Sequence, residues 1–167
     1  GDKVQLKELA KFLELDTKNG CDSGKEIYEN LQTEFNSDTS NDARWFDFQD
    51  IQIEEDEIII SGDSAWCPSL ELFTKISERF NKLVIKYSYE EMGCDFSGWA
   101  DISDGNCNDN QFPYWEGIIT REGESEAIRQ VIDNELEYYE TEEELIESDM
   151  FQAFSQESKD EILEYYK

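Results

Sequence analysis

The chain has 167 residues, enough for one domain of common size with a substantial core. Its 42 acidic residues outnumber 14 lysines and arginines, and histidine is absent, so the formal charge is −28. This charge excludes the phosphate backbone of nucleic acid and anionic membrane as direct partners. Hydrophobic residues make up 38% of the chain, too many for a disordered protein, so we expect it to fold.

The first segment, residues 1–42, predicts two amphipathic helices. The first helix lies between Val4 and Leu15, and its apolar residues recur at helical spacing: Leu6, Leu9, Phe12 and Leu13. Asn19-Gly20 is expected to end it. The second helix begins at Asp22-Ser23-Gly24, carries Ile27, Leu31 and Phe35 on one face, and ends in a polar linker over 36–42.

The second segment, residues 43–121, predicts the order β-β-α-β-β-β. Two apolar stretches flank the acidic turn Glu54-Glu55-Asp56 and indicate a hairpin. Pro68 is expected to open a helix that ends near Asn81. Three further strands are then predicted: Leu83 to Tyr89, Phe96 to Ile102, and Phe112 to Thr120 with Pro113 near its edge.

The third segment, residues 122–167, predicts acidic helices. It holds sixteen acidic residues against Arg129, Lys159 and Lys167, so it contributes −13 of the total charge. Its apolar residues keep amphipathic spacing, which favours helices docked on the same domain over a solvated acidic tail.

The central part of the chain carries a set of features that belong together. These are Trp45 before the first strand, the corner Ser64-Ala65-Trp66-Cys67-Pro68, a helix through Leu72 and Ile76, Tyr87 and Tyr89 in the next strand, and Gly93 before Phe96-Ser97-Gly98. On these features, residues 44–106 resemble the YubB-type ferredoxin-like family of plasmid and phage proteins. Cys67 and Ser69 depart from the double-proline form of the corner. The resemblance implies an α+β fold with a ferredoxin-like antiparallel sheet, packed helices and a mobile-element origin, and it implies no catalytic residues.

The stretch from Asp101 to Asn110 is rich in the hard oxygen ligands that calcium prefers, and Asp101, Asp104 and Asp109 are its candidate ligands. Its spacing fails the EF-hand pattern, because Gly105 is fifth and Phe112 stands where the glutamate belongs. Turn formation alone explains the clustering of Asn, Asp and Gly. We therefore expect no metal and no cofactor, and a metal-dependent enzyme built on this loop stays an alternative.

Other catalytic patterns are weak. Paired carboxylates among Asp47, Asp50, Asp63 and Asp101 offer acid and base chemistry, but chance pairing is abundant in so acidic a chain. No histidine, glycine-rich phosphate loop or catalytic spacing supports an enzyme. The four cysteines form no C-x-x-C pair and histidine is absent, so we expect no zinc site. Their even number allows two disulfides, but we expect reduced core thiols, because a chain with this many large apolar residues does not need disulfides.

The tryptophans and the acidic helices supply the candidate binding residues. We expect Trp66 in the core, where it anchors the helix to the sheet. Trp115 fits either the core or an edge that contacts a peptide or small ligand, and its neighbour Tyr114 suggests the edge. The carboxylates either solubilise the protein or face a basic partner such as a DNA-binding protein, with DNA mimicry as the sharpest form. The candidate acids are Glu137, Glu140, Glu142, Glu143, Glu144 and Glu147. No apolar run reaches the roughly 18 residues of a membrane span, and no signal pattern is seen, so we expect a cytoplasmic protein.

Overall fold

The computed structural model describes residues 2–18, 24–37 and 42–166. The helices are α1 (Lys3–Lys18), α2 (Gly24–Phe35), α3 (Leu70–Arg79), α4 (Tyr114–Glu122), α5 (Glu124–Asn134), α6 (Glu142–Glu147), α7 (Asp149–Gln152) and α8 (Gln156–Tyr166). The strands are β1 (Phe46–Ile53), β2 (Ile58–Ser64), β3 (Val84–Glu91), β4 (Phe96–Ser103) and β5 (Asn106–Phe112). This mixture confirms the predicted α+β class. The predicted boundaries at Asn19-Gly20 and Asp22-Ser23 lie outside the described residues.

The strands form two antiparallel sheets. One sheet is the predicted hairpin of β1 and β2, with Phe46 opposite Ser64 and Ile53 opposite Ile58. The register shifts between Phe48 and Asp50, which marks a bulge in β1. The other sheet has the order β3-β4-β5.

The prediction of a strand over Phe112 to Thr120 is wrong, because this stretch forms α4. Pro113 occupies the N-cap position with φ −50°, and the Gly117 N–H donates to its carbonyl at 3.0 Å. The Asp95 carboxylate accepts the Tyr114 N–H at 3.1 Å, so an otherwise unpaired donor of the first turn is satisfied. Trp115 and Ile118 then fall three residues apart on the buried face, which is helical spacing.

The fifth strand forms instead from the polar stretch that was the candidate calcium loop. Asp104 (φ 48°) and Gly105 (φ 71°) both have left-handed backbones, as a two-residue type I′ hairpin turn requires. This turn joins β4 to β5. Strand β5 lies at the edge of its sheet, where polar side chains remain in water.

The chain divides into two compact units. Unit 1 comprises residues 1–89 and 99–110, and unit 2 comprises residues 90–98 and 111–167. Both N-terminal helices therefore fall in unit 1 together with the hairpin and α3. The core of unit 1 joins these elements through buried side chains, among them Leu13, Tyr28, Phe46, Leu72 and Ile102.

Unit 2 has its own core, built from α4 to α8. Its buried side chains are Trp115, Ile118, Ala127, Ile128, Val131, Leu145, Met150, Phe151, Phe154 and Ile162. The C-terminal segment is thus helical and packed through its apolar residues, as its spacing predicts. No helix among the described residues is long and apolar enough to cross a membrane.

The cysteines differ from the prediction of core thiols. Cys94 and Cys107 are exposed, and Cys67 is half-buried. All three are free, while Cys21 lies outside the described residues. Burial raises the pKa of the Cys67 thiol, and the nearby charge of Asp42 raises it further. Because the thiolate is the nucleophilic form, this shift opposes a catalytic role for Cys67.

Candidate protein-binding surface

Negative charge is densest in unit 2. This unit holds 20 of the 42 acidic residues but only four of the 14 basic ones. Between Arg129 and Lys159 the sequence contains ten acidic residues and no basic one. Carboxylates on this stretch have no cation nearby along the chain, so their field is weakly neutralised from within.

The backbone of this stretch is fixed by packing and capping. Leu145 is fully buried, and Leu136 packs against the same core. The Tyr166 hydroxyl donates to the Tyr139 carbonyl at 3.0 Å. Thr141 caps α6 in a capping box, in which its side chain accepts from the Glu144 N–H and the Glu144 carboxylate accepts from the Thr141 N–H.

All six glutamates that the sequence singles out are exposed: Glu137, Glu140, Glu142, Glu143, Glu144 and Glu147. They lie on the 3₁₀ turn Leu136–Tyr138, the following loop and α6. Tyr138 stands among them with 72% of its surface exposed. We call these six glutamates and Tyr138 the acidic face. Since Glu144 also closes the capping box, the other five glutamates are the ones available for an external contact.

Two basic residues of unit 2, Arg121 and Arg129, form ion pairs outside the acidic face. Arg121 bridges Glu90 at 2.9 Å and Glu122 at 2.7 Å, and Arg129 pairs with Glu126 one turn earlier in α5. Among the described residues, these pairs leave the acidic face without a basic partner. Exposed carboxylates of this kind attract cations over about one Debye length, roughly 8 Å at physiological ionic strength.

The prediction that Trp115 forms an exposed contact is wrong. Trp115 is only 8% exposed, and its ring packs 6.1 Å from that of Phe154 in the core of unit 2. Tyr114 is half-buried against Trp115, with ring centroids 5.2 Å apart. Burial raises the pKa of Tyr114 to about 12, and the neighbouring charges of Glu90 and Glu135 act in the same direction. Both side chains therefore stabilise unit 2 instead of presenting an apolar contact.

The prediction that Trp66 lies in the core is also wrong. Its side chain is 69% exposed, and its backbone is left-handed with φ 63°. The core position at this corner belongs to its neighbour Ala65, whose N–H donates to the Trp45 carbonyl at 3.0 Å. A left-handed backbone reverses the direction of the side chain relative to an extended strand, so the ring of Trp66 leaves the core.

Beneath this corner lies a polar cluster that the sequence does not reveal. Asp42, 5% exposed, accepts the backbone N–H groups of Glu71 and Leu72 at 2.7 Å each, and so caps α3 from 29 positions away. Ser69 occupies the N-cap position but donates its hydroxyl to Tyr28 at 3.0 Å. Burial raises the pKa of Asp42 above its ordinary value. The cluster holds the start of α3 in place and is structural.

The three candidate metal ligands occupy different positions in the hairpin formed by β4 and β5. Asp101 is exposed on β4, Asp104 takes the left-handed turn position, and Asp109 on β5 accepts a hydrogen bond from the Tyr89 hydroxyl at 2.7 Å. Within the described residues, no three cysteine or carboxylate side chains are grouped as a metal site requires. A metal-dependent reaction on this loop therefore gains no support.

A shallow groove in unit 1 is lined by Glu34, Phe35, Lys75, Glu78 and Arg79. Its charges are paired: Arg79 bridges Glu34 at 2.6 Å, and Lys75 bridges Glu78 at 3.3 Å. Because its charges are already paired, this groove attracts a charged ligand only weakly. The acidic face therefore remains the candidate surface.

No curated protein matches the chain, and no solved structure matches it. A family model described as the ferredoxin-like domain in Api92-like protein matches residues 42–162. The match begins at Asp42, includes the hairpin and α3, and continues through the acidic face into α8. It confirms the ferredoxin-like fold and extends well beyond residue 106. Because it covers more than half of the chain, the protein belongs to the family of ferredoxin-like domains found in Api92-like proteins.

Proposed function

We propose that the protein is a non-enzymatic interaction protein that binds the basic surface of a partner, such as a DNA-binding protein, through its acidic face. The observation that carries the proposal is the position of five exposed glutamates and exposed Tyr138 on a capped, packed part of unit 2. A rigid aromatic side chain among charges is typical of a binding hot spot, and complementary charge speeds association.

Mimicry of DNA is the sharpest form of this proposal. A partner that binds phosphates with lysine and arginine presents the same cations to carboxylates. The YubB-type resemblance supports a plasmid or phage origin, and such elements gain from occupying host DNA-binding proteins. Action in the cytoplasm follows from the same proposal, because that is where such partners reside in a bacterial host.

The experiment is capture of partners from a host lysate on the immobilised chain at low salt, followed by elution with rising salt. We expect a basic nucleic-acid-binding protein to elute, since the contact is electrostatic. Duplex DNA added during capture should compete with the chain. Recovery of no salt-sensitive protein contradicts the proposal, and recovery of a basic partner that DNA does not displace contradicts its DNA-mimic form.

Two variants of equal net charge make the test specific. The acidic-face variant replaces Glu137, Glu140, Glu142, Glu143 and Glu147 by glutamine, and keeps Glu144 because of the capping box. The scattered variant replaces five exposed acids of unit 1 by their amides: Glu8, Glu26, Glu29, Asp101 and Asp104. Only the acidic-face variant should lose the partner. Equal loss in both variants indicates a general charge effect.

A further inference from the structure

Strand β2 of unit 1 has an open edge. It pairs with β1, and among the described residues no second strand lies along its other side. None of its seven residues is buried. The outward N–H and C=O groups of an edge strand are a template for another extended chain, so such an edge needs protection or a partner.

The sequence of β2 gives this edge little protection. The strand begins Ile58-Ile59-Ile60, and Ile59 is 45% exposed on the face turned away from the core. It contains no lysine and no proline, the residues that commonly block edge pairing. Its one charge is Asp63, which lies directly opposite Asp47 on β1 and accepts a hydrogen bond from the Gln49 side chain at 2.6 Å. Like charges in this position repel each other, and a cation between them would relieve the repulsion.

Trp66 lies two positions beyond the end of β2, and its indole is in solvent. A left-handed backbone at a bulky residue costs about 1–2 kcal/mol, and exposure of the ring forgoes hydrophobic burial. The neighbours impose this conformation: Ala65 is tied to Trp45, and the Ser64 hydroxyl donates to the Cys67 carbonyl at 2.9 Å. The exposed face of a tryptophan is the best aromatic site for a lysine or arginine.

The negative charge around β2 favours a basic segment over a second copy of the chain as the binding partner of this edge. A second copy of the chain brings another −28 charge and the acidic turn Glu54–Glu57 next to its own β2, so self-pairing is opposed. A basic segment is attracted by the same groups. Unit 1 already shows this chemistry internally, since the Lys25 ammonium lies 4.4 Å from the ring centroid of Trp45.

We propose that the open edge of β2 together with Trp66 binds an extended, basic segment of a partner protein. The segment adds a strand beside Ile58–Ser64, alternate apolar side chains contact Ile59, and a lysine or arginine stacks on Trp66 near Asp63. This surface is made of other residues than the acidic face, and it binds by main-chain pairing instead of charge alone.

The test uses a synthetic peptide of alternating lysine and valine, with the full chain as receptor. Its control is the same peptide with every amide nitrogen methylated, which keeps the charge but removes the main-chain donors of both edges. Binding is measured by titration, and hydrogen exchange reports protection of the amides of residues 58–64. We expect protection with the first peptide, and binding at least about tenfold weaker with the second.

Three variants complete the test. Ile59→Lys places a cation on the edge, and Trp66→Gly removes the indole while suiting the left-handed backbone; each should weaken binding about tenfold or more. Val4→Lys also replaces an exposed aliphatic residue by lysine, but on α1, and should leave binding unchanged. Equal binding of both peptides, or unchanged binding to both edge variants, overturns the proposal. So does protection of these amides in the chain alone at raised concentration, which identifies a second copy as occupant. The acidic-face variant should still bind the peptide, so either surface can fail without the other.

Discussion

Replacement of Asp42 by alanine should destabilise unit 1 through the start of α3. Asp42 accepts two backbone N–H groups of the first turn at 2.7 Å, and the bond from Leu72 is buried. A capping side chain is worth about 0.5–2 kcal/mol, and a buried donor left unpaired costs about 1–3 kcal/mol. The buried carboxylate also carries a desolvation cost, so we expect Asp42→Ala to lower the free energy of unfolding by about 3 kcal/mol.

The assay is urea denaturation followed by far-ultraviolet circular dichroism, with Asp101→Ala as control. Asp101 is exposed on β4, so its loss should stay within about 0.5 kcal/mol. In thermal unfolding the Asp42 variant should melt about 6–12 °C lower, at about 2–4 °C per kcal/mol for a chain of this length. If the two variants have equal stability, the capping role of Asp42 is refuted.

The raised pKa of Asp42 determines whether its contribution to stability rises or falls with pH. Burial makes the folded state bind the proton more tightly than the unfolded state, whose aspartate pKa is near 3.8. Asp42 therefore contributes its full share of this stability below pH 3.8, and the share is lost as the pH rises through the higher folded-state pKa. The stability difference between the unsubstituted chain and Asp42→Asn should therefore shrink over that interval. Growth of the difference with pH contradicts the direction of the shift.

Three further substitutions test the local structure by the same denaturation assay. Trp66→Gly should be more stable than Trp66→Ala by about 1 kcal/mol, because glycine suits φ 63° better than alanine does. This is the reverse of the usual order in a strand or helix. If the alanine variant is at least as stable as the glycine variant, the prediction is contradicted. Gln32→Met should stabilise the protein by about 1 kcal/mol. The reason is that Gln32 is only 9% exposed and its side-chain N–H₂ has no hydrogen-bond partner within the described residues. A loss of stability would show that this amide does have a hydrogen-bond partner. Gly117→Ala should destabilise unit 2, because a Cβ there overlaps the Ser97 hydroxyl, and adding Ser97→Ala should restore part of the loss; additive losses refute the overlap.

Much of the fold follows from local patterns in the sequence. Apolar spacing predicts α1, α2 and the C-terminal helices, and the acidic turn between two apolar stretches predicts the β1–β2 hairpin. The error at Phe112 to Thr120 has a physical reason. Trp115, Ile118 and Ile119 favour strands by propensity. The helix forms because Pro113 takes the N-cap position and the Asp95 carboxylate accepts the Tyr114 N–H of the first turn. The Asp104-Gly105 pair, a strong hairpin signal, marks the true fifth strand.

The candidate surface is predicted only in part. Exposure of the six glutamates follows from charge, because an unpaired carboxylate is rarely buried. The positions of the tryptophans do not follow. Trp66 is exposed because tertiary hydrogen bonds impose a left-handed backbone, and Trp115 is buried because its segment is helical. The capping of α3 by Asp42 joins distant positions, so no local pattern announces it.

The most direct test of the central claim compares the acidic-face and scattered variants in binding the captured basic partner. Both carry the same net charge, so any difference in the dissociation constant measures the arrangement of carboxylates instead of their number. We expect the acidic-face variant to bind at least about tenfold more weakly than the scattered variant at low salt, with the difference shrinking as salt rises. Equal dissociation constants at every salt concentration contradict the claim, and the acidic face then serves solubility alone.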